Sequence, residues 1–190
     1  RDGVNGSRFQ DWYFISPVCS PSRAAWFSGR YPGNAGVRSI LAGHRTATGL
    51  PTEVPTIADA MKKLGYYTAM SGKWHLGLAN GSRPEDHGFD NWFGFMAGCI
   101  DFYSHIFYWQ MNRDGLAPFP DLWENGTEIY RNGEYLTTMT AKRSFYPSFN
   151  MASTLAGIRS TPVEDLYIVP SENLPNGSVG LRIMVTPLIG

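Results

Sequence analysis

Ile57, Ala60, Met61 and Leu64 fall at i, i+3, i+4 and i+7, one face of an α-helix. Pro55-Thr56 stands ahead of them and Gly65 behind, which is start and stop chemistry. Tyr66 to Met70 follows at once and reads as a strand. A helix passing through a glycine into a strand is half of an α/β layer, and it commits the chain to packing a helix face on a sheet. With 190 residues, 43% hydrophobic and 17% charged, there is material for one domain or part of a larger one.

The neighbouring segments fit that frame. Residues 12 to 15 (Trp-Tyr-Phe-Ile) form a short apolar run that reads as a buried strand. A helix is expected next, with Ser20 as N-cap, Pro21 at the first helical position and Gly29 as the stop. Residues 31 to 54 are rich in Gly, Pro and Thr and read as loop. The aromatics of residues 88 to 109 read as core and cleft wall, since basic residues are not interleaved as in a nucleic-acid stacking platform. Asn132-Gly133, between Ile129-Tyr130 and Tyr135-Leu136, is the expected hairpin turn. Four Asn-Gly-Ser/Thr tripeptides, at Asn5, Asn80, Asn125 and Asn176, fit the N-glycosylation pattern but are equally turn chemistry.

Charge narrows the partners. Lys plus Arg is 16 and Asp plus Glu is 16, so the basic excess of a phosphate-backbone binder is missing and no nucleic acid is expected. No apolar run reaches the ~18 to 20 residues of a membrane helix. Two cysteines, Cys19 and Cys99, cannot make a disulfide-rich scaffold or a four-cysteine zinc site.

Two clusters could carry chemistry. Cys19-Ser20-Pro21-Ser22-Arg23 places a thiol at a helix start, where free N–H groups and the dipole favour an anion, with a guanidinium one turn on. The same residues also read as a buried cysteine beside an ordinary capped helix. Gly72-Lys73-Trp74-His75 follows the strand directly. In an extended segment Lys73 and His75 share one side, at the strand end where α/β folds keep their sites. An exposed loop with a surface Lys and His is the other reading.

The run Ser16-Pro17-Val18-Cys19-Ser20-Pro21-Ser22-Arg23, then Ser28-Gly29-Arg30-Tyr31-Pro32, resembles the first sulfatase signature. Gly65 through Gly77 resembles the second, in the right order and at a fitting separation. Gly88-Phe89-Asp90 and Asp101-Phe102-Tyr103-Ser104-His105 are similar to the stretch that follows in arylsulfatases, and the resemblance runs from about residue 8 to 137. Ser28 stands where the family usually has Thr.

The resemblance implies an alkaline-phosphatase-like α/β sandwich with a largely parallel sheet, present as a partial domain. It implies a sulfuric ester hydrolase in which Cys19 is oxidised to formylglycine by a formylglycine-generating enzyme. The hydrated aldehyde carries two hydroxyls on one carbon: one attacks sulfur, and deprotonation of the other expels sulfate as the aldehyde re-forms. Arg23 would hold the hydrate, Lys73 would neutralise sulfate oxygens, and His75 would bind the hydrate or the sulfate. Ser104 and His105 are substrate-binding candidates. Calcium is the implied metal, with Cys19, as formylglycine, among its ligands and the others expected outside this chain. The implied substrate is a sulfated small molecule or glycan, in a secreted, periplasmic or lysosomal setting.

The expected domains are residues 1–140, a partial sulfatase catalytic domain, and 141–190, a tail that departs from the family pattern. The chain is expected to be an internal piece of a sulfatase and inactive alone. Glu164-Asp165 in the tail reads as a solvated pair. The family's N-terminal strand, which would lie inside the sheet, is expected to be missing, leaving backbone groups exposed along a strand edge. Two alternatives stand beside this reading: a phosphomonoester or phosphonate hydrolase of the same superfamily, and a catalytically dead sulfate-binding remnant.

Overall fold

A computed structural model describes residues 11, 13–109, 117–145, 166–167 and 180–185. Helix α1 is Cys19–Ser28, α2 is Ile57–Lys63, and strand β1 is Tyr67–Lys73. A single 3-10 turn, Pro84–His87, leads to β2, Asn91–Phe95. The short strands β3 (Ile106–Phe107), β4 (Phe119–Pro120), β5 (Trp123–Glu124) and β6 (Thr127–Glu128) follow, then α3 (Leu136–Phe145), β7 (Leu166–Tyr167) and β8 (Gly180–Val185).

The main sheet has the order β6-β5-β2-β1-β8-β7. Its centre is parallel, with β1 between β2 and β8. Its flanks are antiparallel. The edge of β1 opposite β2 is paired by β8, in a register running from Tyr67↔Gly180 to Gly72↔Val185. At the β1–β2 seam Gly72 faces Gly94, and a Cβ on Gly94 would lie 1.8 Å from the Gly72 carbonyl oxygen, so these strands require glycine there.

Alternation along β1 and β2 sorts the core into two faces. Met70 and Trp92 join Phe27, Trp74, Leu76 and Phe89 on the side of α1 and α2. Phe93 and Phe95 join Leu122, Leu136 and Met139 on the side of α3. Ser71 points to that second side and donates to the Thr140 carbonyl at 2.9 Å. Helices cover both faces, as a sheet with a parallel centre requires.

Sequence expectations are corrected at several points. Helix α1 begins one residue before Ser20, with Val18 as N-cap, because the Ser20 hydroxyl is used elsewhere: it accepts from Leu41 N at 3.1 Å. Gly29 does close α1, in the left-handed conformation. Helix α2 starts at a capping box between Thr56 and Asp59, a motif that typically contributes about 1 kcal/mol. Ala58 is its fully buried residue and Ile57 and Met61 pack partly buried against the same core, while Leu64 is 72% exposed because the helix has ended by then. Strand β1 runs to Lys73, three residues past the expected end.

Tyr13, Phe14 and Ile15 are exposed and form no strand, since no neighbouring strand among the described residues pairs with them; Trp12 lies outside the described residues. The hairpin turn is at Asn125-Gly126 rather than Asn132-Gly133. Asn125 and Gly126 both have positive φ, 49° and 75°, the type I′ signature. Asn125 is held further because its Oδ1 accepts from Trp92 N at 2.7 Å, whereas the turn at Gly133 leads into α3. Of the other glycosylation patterns, Asn80-Gly81 is a turn, and Asn5 and Asn176 lie outside the described residues, as does Glu164-Asp165.

Candidate active site

The carboxyl ends of β1 and β2 meet the amino end of α1. Cys19 is the first residue of α1 and is half-buried. The Lys73 ammonium, at the last position of β1, is an electrostatic neighbour of Cys19. Arg23, one turn into α1 and 8% exposed, donates Nε–H to the Trp74 carbonyl at 2.7 Å and a terminal N–H to the Lys73 carbonyl. The guanidinium thus ties α1 to the end of β1 and fixes Cys19 relative to Lys73.

Backbone geometry places His75. The chain is not extended through it: His75 has φ 54°, in the left-handed region that a β-carbon residue rarely adopts. The expectation of one extended segment fails there, although Lys73 and His75 remain electrostatic neighbours. Trp74, between them, is fully buried and donates its indole N–H to the Ser82 carbonyl at 2.7 Å. His75 N donates to Met96 O at 3.1 Å, and its Nε2 is 3.3 Å from Leu41 O. A carbonyl only accepts, so this contact puts the ring proton on Nε2 and leaves a lone pair on Nδ1. Nδ1 is buried and has no hydrogen-bond partner among the described residues. Leu41 therefore joins the first turn of α1, through Ser20, to the His75 ring.

Electrostatics sharpen the cluster. Burial pushes the His75 imidazole down to about 3, and Lys73 and Arg23 add to the shift against the pull of Leu41 O. His75 is a neutral ring at physiological pH, not a second cation. Burial also lowers Lys73, and Arg23 adds to it, while Cys19 and Cys99 act the other way. A half-buried, partly destabilised ammonium beside a guanidinium gains when an anion arrives. The Cys99 thiol is raised, chiefly by burial, with Lys73 opposing.

Ser104 and His105 are engaged elsewhere. The Ser104 hydroxyl donates to the Asp101 carboxylate at 2.9 Å. The His105 ring is buried, with Nε2 at 3.0 Å from Glu134 O. Backbone and side-chain donors of Tyr103 and Ser104 hold Asp101 below the usual carboxylate range.

Four features escaped the sequence reading: Leu41, Gly98, Cys99 and Asp121. Asp121 is fully buried, and desolvation pushes its carboxyl up to about 7 against the pull of the Ala97, Trp123 and Met96 N–H donors. An acidic residue between Pro120 and Leu122-Trp123 was the available signal.

Calcium takes about 6 to 8 oxygen ligands. Among the described residues no three His, Cys, Asp or Glu side chains gather as a metal group. Lys73 and Arg23, the charged groups of this cluster, are cations, which do not ligate. These residues do not by themselves fit a calcium site. No helix among the described residues is long and apolar enough to cross a membrane.

Comparison with known proteins adds an independent line. The family described as Sulfatase matches residues 3–155. A second family, the CcmF C-terminal beta-sandwich, matches residues 124–187, about a third of the chain. Arylsulfatase J of Mus musculus is 34% identical over 134 residues, covering 69% of this chain and 22% of its own length. The human N-acetylgalactosamine-6-sulfatase is 38% identical over 101 residues, 50% of this chain and 19% of its own. The crystal structure of Ps i-CgsB superposes with TM-score 0.59 at 29% identity, over 70% of this chain and 31% of that one. The chain thus spans about a fifth of the length of these curated relatives. The sulfatase match over most of the chain, on an α/β frame with helices on both faces of its sheet, establishes that the chain belongs to the sulfatase family.

Proposed function

We propose that the whole protein hydrolyses sulfate monoesters, with position 19 as nucleophile after conversion to formylglycine. The observation that carries this reading is the Arg23 guanidinium of α1 donating to the Trp74 and Lys73 carbonyls, which holds Cys19 at the helix start next to the end of β1 and the Lys73 ammonium. A formylglycine there supplies a geminal diol, whose second hydroxyl allows sulfate to leave by elimination.

This chain's own residues then have distinct tasks. Lys73 neutralises sulfate oxygens, and its half-buried ammonium is preorganised for that charge. Arg23 holds the position of residue 19 and adds positive potential. His75 has a lone pair at Nδ1 and no proton to give a sulfate oxygen from that atom. Of the two partners the family resemblance allows, a hydroxyl at position 19 suits it better, and Nδ1 accepts that proton. Ser104 and His105 are left outside this reaction core, because their side chains already serve Asp101 and Glu134.

We further propose that residues 1–140 carry this site and 141–190 do not. The whole protein takes calcium at position 19 with oxygen ligands from segments beyond the described residues. A sulfated glycan or small molecule is the substrate, and a formylglycine-generating enzyme is the partner in maturation. The names of the relatives support a sulfated amino sugar or aryl ester as probe classes. Family membership supports a secreted, periplasmic or lysosomal setting.

The test uses the complete protein made with a formylglycine-generating enzyme. Peptide mass spectrometry is expected to find the aldehyde at position 19. Turnover of an aryl sulfate is expected to exceed that of the matched aryl phosphate and to vanish in Cys19→Ala. Faster phosphate turnover would favour the phosphohydrolase reading, and a free thiol with no turnover would favour the inactive remnant.

A further inference from the structure

Asp121 lies on the connection between β4 and β5 and is fully buried, yet no partner cation forms an ion pair with it among the described residues. Its carboxylate instead accepts three N–H groups. Oδ2 takes Ala97 N at 2.7 Å, and Oδ1 takes Met96 N at 3.3 Å and the Trp123 indole at 2.7 Å. Burying a carboxylate is costly, and three donors on two oxygens is how a fold meets that cost. The question is what the arrangement holds in place.

The answer lies on the other side of the same peptides. Met96 donates its N–H to Asp121, and its carbonyl accepts from His75 N at 3.1 Å. Two residues on, Gly98 packs against the His75 ring. A Cβ at position 98 would come within 2.8 Å of Cε1 and 2.9 Å of Nε2. The imidazole therefore rests against the segment that Asp121 pins. Leu41 holds the ring at Nε2, and Met96 holds the main chain. His75 sits in the left-handed region, so an unsupported backbone would relax away from this conformation.

We propose that Asp121 is a positioning residue for His75: through the Met96–Gly98 segment it sets where the imidazole stands relative to position 19. Its effect on catalysis rests on the role given to His75 above, whereas its effect on the ring does not. Asp121 N also donates to His105 O at 2.9 Å, but that contact is made by the main chain and survives a side-chain change.

The test is Asp121→Asn in the complete, aldehyde-bearing protein. Asparagine keeps the shape and replaces one acceptor oxygen with an NH2 group that opposes an N–H donor. The readouts are the ring nitrogen signals of ¹⁵N-histidine-labelled protein, assigned by loss in His75→Gln and His105→Gln, and the steady-state constants on an aryl sulfate. The His75 signals are expected to move while the His105 signals stay. The value of kcat should fall ~10- to 100-fold with KM changed much less, the range for a misplaced catalytic group. An unmoved His75 signal in folded Asp121→Asn overturns the proposal, as does an equal shift of both histidines. A His75 shift in a protein whose wild type shows no turnover would leave the positioning intact and remove the catalytic reading instead. Should Asp121→Asn fail to fold, Trp123→Phe decides. It removes one of the three donors and keeps the ring, and a smaller shift confined to His75 supports the proposal while no shift overturns it.

Discussion

His75 and His105 are built alike. Both have positive φ, 54° and 57°. Both rings are buried, hold a main-chain carbonyl at Nε2 and leave Nδ1 without a hydrogen-bond partner among the described residues. Their surroundings differ. His75 stands with Lys73 and Arg23 at the start of α1, and its ring is driven to the neutral form. His105 stands in a turn closed by the Asp101 carboxylate, and its ring ties that turn to Glu134. The same backbone conformation therefore serves the proposed anion site in one place and a loop clasp in the other. Burial and strain are common to both; the buried Arg23, the half-buried Lys73 and the helix start are what set the proposed site apart.

Lys73→Ala breaks the contrast most. Removing a preorganised charge contact typically costs about 2.7 to 4 kcal/mol of transition-state stabilisation, so kcat of the complete enzyme should fall about a hundred- to thousandfold. The same variant should let His75 take up a proton at higher pH, since Lys73 is the second cause of its depression. Near wild-type turnover on an aryl sulfate would remove Lys73 from the site.

His105→Ala should act on the fold instead. It deprives Glu134 O of its donor, a loss of about 1 to 3 kcal/mol, visible as a lower denaturant midpoint. Turnover per folded molecule should hold, and a large fall in kcat with unchanged stability would return His105 to the reaction.

Stability against pH separates the buried groups by sign. The folded value of His75 is below its ordinary 6.5, so the unfolded chain binds the extra proton between about 3 and 6.5. Stability owed to His75 is therefore present above 6.5 and is lost as pH falls toward 3. Asp121 is raised from 3.8 to about 7, so its folded form binds the extra proton, and its contribution declines as pH rises through that window. Subtracting the His75→Gln curve from wild type should leave a difference that climbs with pH. Subtracting Asp121→Asn should leave one that falls. Two differences of the same sign would contradict these environments. Ser104→Ala marks the small end of the scale. Its hydroxyl serves an exposed turn, and the change should stay within about 0.5 kcal/mol by thermal melt.

The parts of this architecture that depend on nearby residues were legible in the sequence. The α2–Gly65–β1 unit followed from a four-residue periodicity and a glycine, and Cys19, Arg23, Lys73 and His75 from two short motifs. What the sequence hid is long-range. Ser20 looks like an N-cap until Leu41, 21 residues away, takes its hydroxyl. Asp121 binds residues 24 and 25 positions earlier, a pairing no local pattern encodes. Asn125-Gly126 and Asn132-Gly133 carry the same dipeptide, and only the partner strands distinguish the hairpin from the helix approach. Tyr13 to Ile15 are apolar enough for a strand, but a strand needs a neighbour.

The most direct measurement compares kcat of His75→Gln and His105→Gln in the complete protein, with the aldehyde at position 19 confirmed by mass spectrometry in both. Each value is taken on an aryl sulfate and corrected for the folded fraction. The account predicts a loss of about a hundredfold or more for His75→Gln and less than about threefold for His105→Gln, since only one ring faces preorganised charge. Equal losses, or a larger one at His105, would contradict it.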